Sequence, residues 1–107
     1  MIHVNIKYQK NEIIAFEMSG HANSGPYGHD LVCAAASAVS FGAVNAMIDM
    51  CKIDLIIEKE QDGGYLFVKL PDTLSEQKRI KAQIILEAMV ISLKTIERDY
   101  GEFITIE

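Results

Sequence analysis

With 107 residues, half of them apolar and fewer than a quarter charged, the chain has the size of one domain with its own core and is too apolar for a disordered tail. A net charge of −5, without a basic run that could track a phosphate backbone, excludes direct nucleic-acid binding as the main activity and suits a basic partner better. The start, MIHVNIKY, reads as a strand rather than a leader, which sets the expected location in the cytoplasm with both cysteines, Cys33 and Cys51, reduced.

Ile2, Val4, Ile6 and Tyr8 alternate with His3, Asn5 and Lys7, and after Gln9 to Glu12 the two-residue period resumes at Ile14, Phe16 and Met18; the pair reads as a hairpin. A loop rich in glycine follows, SGHANSGPYGHD, from Ser19 to Asp30. Asp30 then introduces a helix to about Met50, with Val32, Ala36, Val39, Ala43, Met47 and Met50 near one face. From Leu31 to Cys51 the clearly polar residues are Ser37, Ser40, Asn45 and Asp49, so the segment passes a membrane test by composition; its small side chains and its Asn and Asp favour a helix buried in a domain, and no membrane partner is expected.

IDLIIEKE and YLFVKL flank Gln61-Asp62-Gly63-Gly64, a second hairpin whose turn needs the positive φ that glycine supplies. Thr73-Leu74-Ser75-Glu76 has the spacing of a capping box, and Gly101 can close a helix spanning roughly 74 to 100. FITI adds a short last strand. The order is ββαββα(β), an α+β domain over residues 1–107 in which two long helices pack on a mostly antiparallel sheet. The second helix carries two apolar rows, Ala82, Ile85, Met89, Leu93 and Ile96, and Ile80, Ile84, Ala88 and Ile91; one row meets the sheet and the other requires a second partner, either the first helix or a symmetry mate, and a homodimer is expected.

Chemistry concentrates where the glycine loop meets the first helix. With Asp30 as the N-cap, Cys33 sits in the first turn, where free amides and the positive end of the helix dipole favour a thiolate. That terminus supplies about 0.3 to 1 kcal/mol, too little to ionise a thiol at neutral pH, so a cationic neighbour is needed. His21, at the end of the second strand, is the candidate: the loop can return it to the helix start, giving a Cys-His pair of nucleophile and general base, with helix-start amides available to a developing oxyanion. Asp30 is open to two roles, capping the helix or orienting the imidazole. Ser37, one turn after Cys33, either supports the site or packs. Gly20, Gly25 and Gly28 let the loop bend toward a substrate backbone, and Tyr27 either covers a substrate or packs.

Gly20-His21-Ala22, Gly28, Asp30 and Leu31-Val32-Cys33-Ala34-Ala35-Ala36-Ser37 resemble the motifs of the bacterial ribosomal-processing cysteine proteases, the Prp family, over essentially the whole chain. Leu31 and Ala36 stand where isoleucine and valine are common, and Asn23 to Tyr27 is the least diagnostic stretch. The resemblance implies an endopeptidase whose catalytic dyad aligns with His21 and Cys33, and an aspartate of the same motif at Asp30. It also implies a homodimer that removes the N-terminal extension of a large-subunit ribosomal protein precursor by cutting beside aromatic residues.

Three rivals compete with that reading. His21, His29 and Cys33 are a compact donor set without the paired-cysteine spacing of a zinc site, so no metal and no cofactor is expected. A Cys33–Cys51 redox pair would span about 27 Å along a continuous helix, far beyond a disulfide. A ribosome-associated module could also grip a peptide in this loop without cutting it.

Overall fold

The alternation at the start of the chain makes β1 (Ile2–Gln9), with Ile2, Val4 and Ile6 buried and His3, Asn5 and Lys7 exposed. Lys10 and Asn11 both take positive φ, 52° and 66°, as a two-residue hairpin turn requires, and return the chain as β2 (Glu12–Ser19). The computed structural model that shows this describes residues 1–26, 30–61 and 63–107.

β2 departs from the simple alternation at its start. Register slips between Lys7 and Tyr8, whose partners are Ala15 and Ile13, so Ile14 is an extra residue in a bulge. The slip turns Ile13 into the core and leaves Ile14, expected inside, only half-buried. Gln83 holds the turned segment, its Oε1 accepting from the Ile13 amide at 2.8 Å and its Nε2 donating to the Ile13 carbonyl at 2.7 Å.

After the glycine loop come α1 (Leu31–Cys51), β3 (Ile56–Lys59), β4 (Tyr65–Lys69), α2 (Glu76–Tyr100) and β5 (Ile104–Ile106), the expected order including the final strand. The sheet runs β3-β4-β2-β1-β5. Every pairing is antiparallel except β1 with β5, so the sheet is mixed but mostly antiparallel. Phe16 and Met18 of β2 and Leu66 and Val68 of β4 turn inward and meet the helices there, while the other face carries His3, Asn5, Lys7 and Glu17.

α1 and α2 pack against each other over that core. α1 buries Val32, Ala36, Ser40, Ala43, Val44, Met47 and Cys51. Ser40, Val44 and Cys51 move the stripe's centre around the helix, so Val39 lies at its rim and Met50, expected inside, is 75% exposed. By length and composition α1 is long and apolar enough to cross a membrane, and its inward residues belong to a core shared with the sheet and α2.

α2 begins later than its capping-box spacing suggests. Ser75, extended at φ −61° and ψ 154°, is the N-cap and accepts from the Lys78 amide at 3.2 Å. Thr73 precedes it by two residues, too early for its hydroxyl to meet that first turn, and Glu76 becomes the first helical residue, where its charge faces the positive end of the dipole. Gly101 ends the helix as expected, although with right-handed φ of −60°. Ala82, Leu86, Met89, Val90 and Leu93 are buried, Ile85 and Ile96 pack at the edge, and the row Ile80, Ile84, Ala88 and Ile91 faces outward.

Candidate active site

At the end of β2 the chain must turn sharply while staying bonded to β4. Gly20 does this at φ +89°, its amide donating to the Gly64 carbonyl at 2.9 Å; a Cβ at Gly20 would strike the Met1 carbonyl. His21 follows with an exposed imidazole, and Ala22 is buried beneath it. The Ala22 amide donates to Sγ of Cys33 at 3.3 Å, so the backbone beside His21 touches the sulfur at the helix start.

Asp30 makes the capping contacts expected of it. It is the N-cap of α1, with φ −87° and ψ 107°, and its Oδ1 accepts from the Cys33 amide at 2.9 Å. Ser24 takes the rest of the carboxylate: its amide donates to Oδ2 at 2.9 Å and its hydroxyl to Oδ1. Burial pushes the Asp30 carboxyl up, but the Cys33 amide and the Ser24 hydroxyl and amide more than offset this and hold it well below the usual carboxylate range. The carboxylate therefore joins the loop to the helix.

Capping by Asp30 removes the Cys33 amide from the donors available to a developing oxyanion, and its neighbours are also engaged. The Cys33 amide is taken by the Asp30 side chain and the Ala34 amide by the Asp30 carbonyl at 3.0 Å, while the Val32 amide reaches Ser24 Oγ at 3.4 Å. Among the described groups the Ala22 amide is the donor aimed at the sulfur.

Cys33 and His21 open into one cavity of about 240 Å³. Its apolar floor comes from Ile2, Met18, Ala36 and Leu66, with Phe41 at one side; Gly20, Gly63, Gly64 and Tyr65 form the wall beside His21. Ser37 also lines it, exposed, one turn from Cys33. Gly25 is half-buried in the loop and does not line the cavity, and Tyr27, Gly28 and His29 lie outside the described residues. Among the described residues no three His, Cys, Asp or Glu side chains converge as metal donors. Cys51 is buried at the far end of an uninterrupted α1, so it cannot reach Cys33 within one chain.

Several contributors escape a reading of the sequence. Ser24 is one polar residue in the least diagnostic stretch of the loop, and nothing in its spacing to Asp30 marks the contact. Ser40 is fully buried in the cavity's floor and its hydroxyl meets Met18 Sδ at 2.7 Å. Tyr65 donates to Glu17 at 2.7 Å across the sheet; that bond, with burial and the charges of Glu17, Glu58 and Glu60, raises its phenol above the ordinary value. Lys59 Nζ lies 6.0 Å from the centroid of the Phe41 ring at the cavity's rim. A Gly-Gly turn was legible as a turn; its place against His21 was not.

A half-buried thiol at a helix start and an imidazole thus line one cavity above an apolar floor. The family described as Cysteine protease Prp matches residues 1–105 of the chain. This chain belongs to the Prp family of cysteine proteases. The Ribosomal processing cysteine protease Prp of Bacillus subtilis is 45% identical over 103 residues, which are 95% of this chain and 92% of that protein. The Prp of S. aureus, an essential ribosomal processing protease, has been solved with a covalently linked product peptide; it is 41% identical, with a TM-score of 0.91, and the match covers 100% of this chain and 98% of that one. Its structure with a substrate peptide is 39% identical with a TM-score of 0.84, over the same shares of the two chains. Membership in Prp makes the chain a cysteine protease and sets aside the peptide-gripping module that does not cut.

Proposed function

We propose that this protease removes the N-terminal extension of a large-subunit ribosomal protein precursor, with Cys33 as nucleophile and His21 as general base and acid. The observation that carries the assignment is the shared cavity, in which the half-buried sulfur receives the Ala22 amide and the adjacent residue supplies the imidazole. His21 takes the thiol proton, the thiolate adds to the scissile carbonyl, and the imidazolium returns the proton to the departing amine as the C–N bond breaks. A thioester remains on Cys33. Water, deprotonated by the same imidazole, adds to the thioester and releases the new C-terminus and the thiol.

The apolar floor fits a large apolar or aromatic side chain next to the cut bond, and the acidic chain suits a basic ribosomal protein. The name of the Bacillus relative supports ribosomal processing as the task, and its setting would be the cytoplasm, where ribosomal proteins are made. The outward row Ile80, Ile84 and Ile91 on α2 supports a homodimer joined through that face.

Synthetic N-terminal segments of extended and unextended ribosomal proteins, incubated with the enzyme and resolved by mass, test the reading. Cleavage of the extended segments at one bond is expected, with losses above about 10³-fold in Cys33→Ala and His21→Ala that remain folded and still bind peptide. Full activity in either variant would overturn the dyad.

A further inference from the structure

Gly63 and Gly64, at the tip of the β3–β4 hairpin, share a φ of +83° and differ in what surrounds them. A methyl group on Gly64 would lie 2.8 Å from Nε2 of His21, 3.4 Å from Cε1 and 3.5 Å from Cδ2. One on Gly63 would meet Cε1 at 3.8 Å, an ordinary contact. The imidazole thus rests with its Nε2 edge on the bare backbone of Gly64.

That backbone is not free to yield. The Gly20 amide donates to the Gly64 carbonyl at 2.9 Å and Ser19 pairs with Tyr65 next to it, so the chain just before His21 is bonded to the residue on which its ring lies. An exposed imidazole just past a strand end otherwise has its side-chain torsions open to solvent-facing rotamers. Proton transfer needs it within hydrogen-bond reach of the reacting group, and a displacement of about 1 Å can cost about 10²-fold in rate.

We propose that Gly64 is a positioning residue for His21, its missing side chain providing the seat that sets the ring's place in the cavity shared with Cys33. Gly64 acts through the imidazole and needs no contact with substrate. The proposal rests on His21 being the acid-base of the dyad.

The matched φ values make Gly63→Ala the control for Gly64→Ala: both impose a left-handed alanine, and one of them strikes the ring. For peptide cleavage, Gly64→Ala is expected to lower kcat about 100-fold with KM within about threefold, and Gly63→Ala to lose less than a tenth as much. The His21 Cε1–H resonance should move in Gly64→Ala and stay near its native position in Gly63→Ala. Equal losses in the two variants, or a native kcat in Gly64→Ala, overturn the seat. Full activity in His21→Ala overturns instead the dyad on which it rests, so the two failures are told apart. Thermal unfolding keeps the idea open to refutation even if Gly64→Ala folds poorly. On a His21→Ala background Gly64→Ala should cost no more in Tm than Gly63→Ala, because the ring it strikes is gone, and an undiminished cost there counts against the proposal.

Discussion

Asp30 is a buried carboxylate that remains charged because three donors surround it: the Cys33 amide, the Ser24 amide and the Ser24 hydroxyl. Two of these belong to the loop and one to the helix start, so a single side chain joins the loop at Ser24 to the turn that carries Cys33. Its folded carboxyl titrates below that of an unfolded aspartate. The stabilisation is therefore complete above an unfolded aspartate's value of about 4 and is lost as pH falls from there toward the folded value. Asparagine caps helices about as well as aspartate but cannot accept in all the same places or hold the charge. Asp30→Asn should unfold at a lower temperature than the native chain at pH 7, and the gap should narrow steadily below about pH 4. A gap that stays constant from pH 7 to pH 2.5 in calorimetry would show that the charge contributes nothing.

Among the elements, β2 and α2 depend on a contact that no local pattern announces. The bulge at Ile14 shifts the register so that Ile13, paired with Tyr8, turns into the core, and Gln83 supplies both a donor and an acceptor to its backbone. Gln83→Met keeps the length of the side chain and removes both bonds, leaving a buried amide and carbonyl unsatisfied. Urea unfolding should show a loss of about 1–3 kcal/mol; a value near zero would mean that neighbouring groups or water replace the amide. Period and punctuation made the strands and helices legible: His3 against Val4, the Gly63-Gly64 turn and the apolar rows of α2 all fall where alternation and spacing place them. What stayed hidden depends on residues far apart in the chain. Gln83 on Ile13, Ser24 on Asp30 and Gly64 under His21 are set by how elements dock, and a helical or extended period carries no record of docking. The cap at Ser75 rather than Thr73 belongs with them, since both hydroxyls suit a helix start and the path of the chain after β4 chooses between them. His21 and Cys33 stand out in the sequence for the opposite reason: their motifs are local, and each lies at the end of an element whose boundary the sequence marks.

For the whole molecule, the question is what the outward row of α2 does. Ile80, Ile84 and Ile91 are 49%, 63% and 67% exposed and lie with Ala88 at helical spacing, so one side of a 25-residue helix presents a continuous apolar strip. The opposite side of the same helix already serves the core through Ala82, Leu86, Met89, Val90 and Leu93. A second copy can cover such a strip by laying its own α2 against it, with the same residues contributed from both sides about a twofold axis. Among the described residues the cavity with Cys33 and His21 is lined by the β1 start, the end of β2 and the turn beyond it, α1 and the β3–β4 hairpin, with none from α2. Association through α2 would therefore use a face apart from the described lining of the cavity. Ile84→Asp with Ile91→Asp should convert a dimer into a folded monomer in sedimentation equilibrium at micromolar concentration, because a carboxylate at the centre of the strip would be buried without a partner. The monomer should cleave a short peptide with kcat/KM within about threefold of the native enzyme, since nothing in the cavity changes. A native chain that sediments as a monomer at those concentrations removes the need for the strip to be covered by a second copy; a monomeric variant with no activity places a residue of the partner chain in the site.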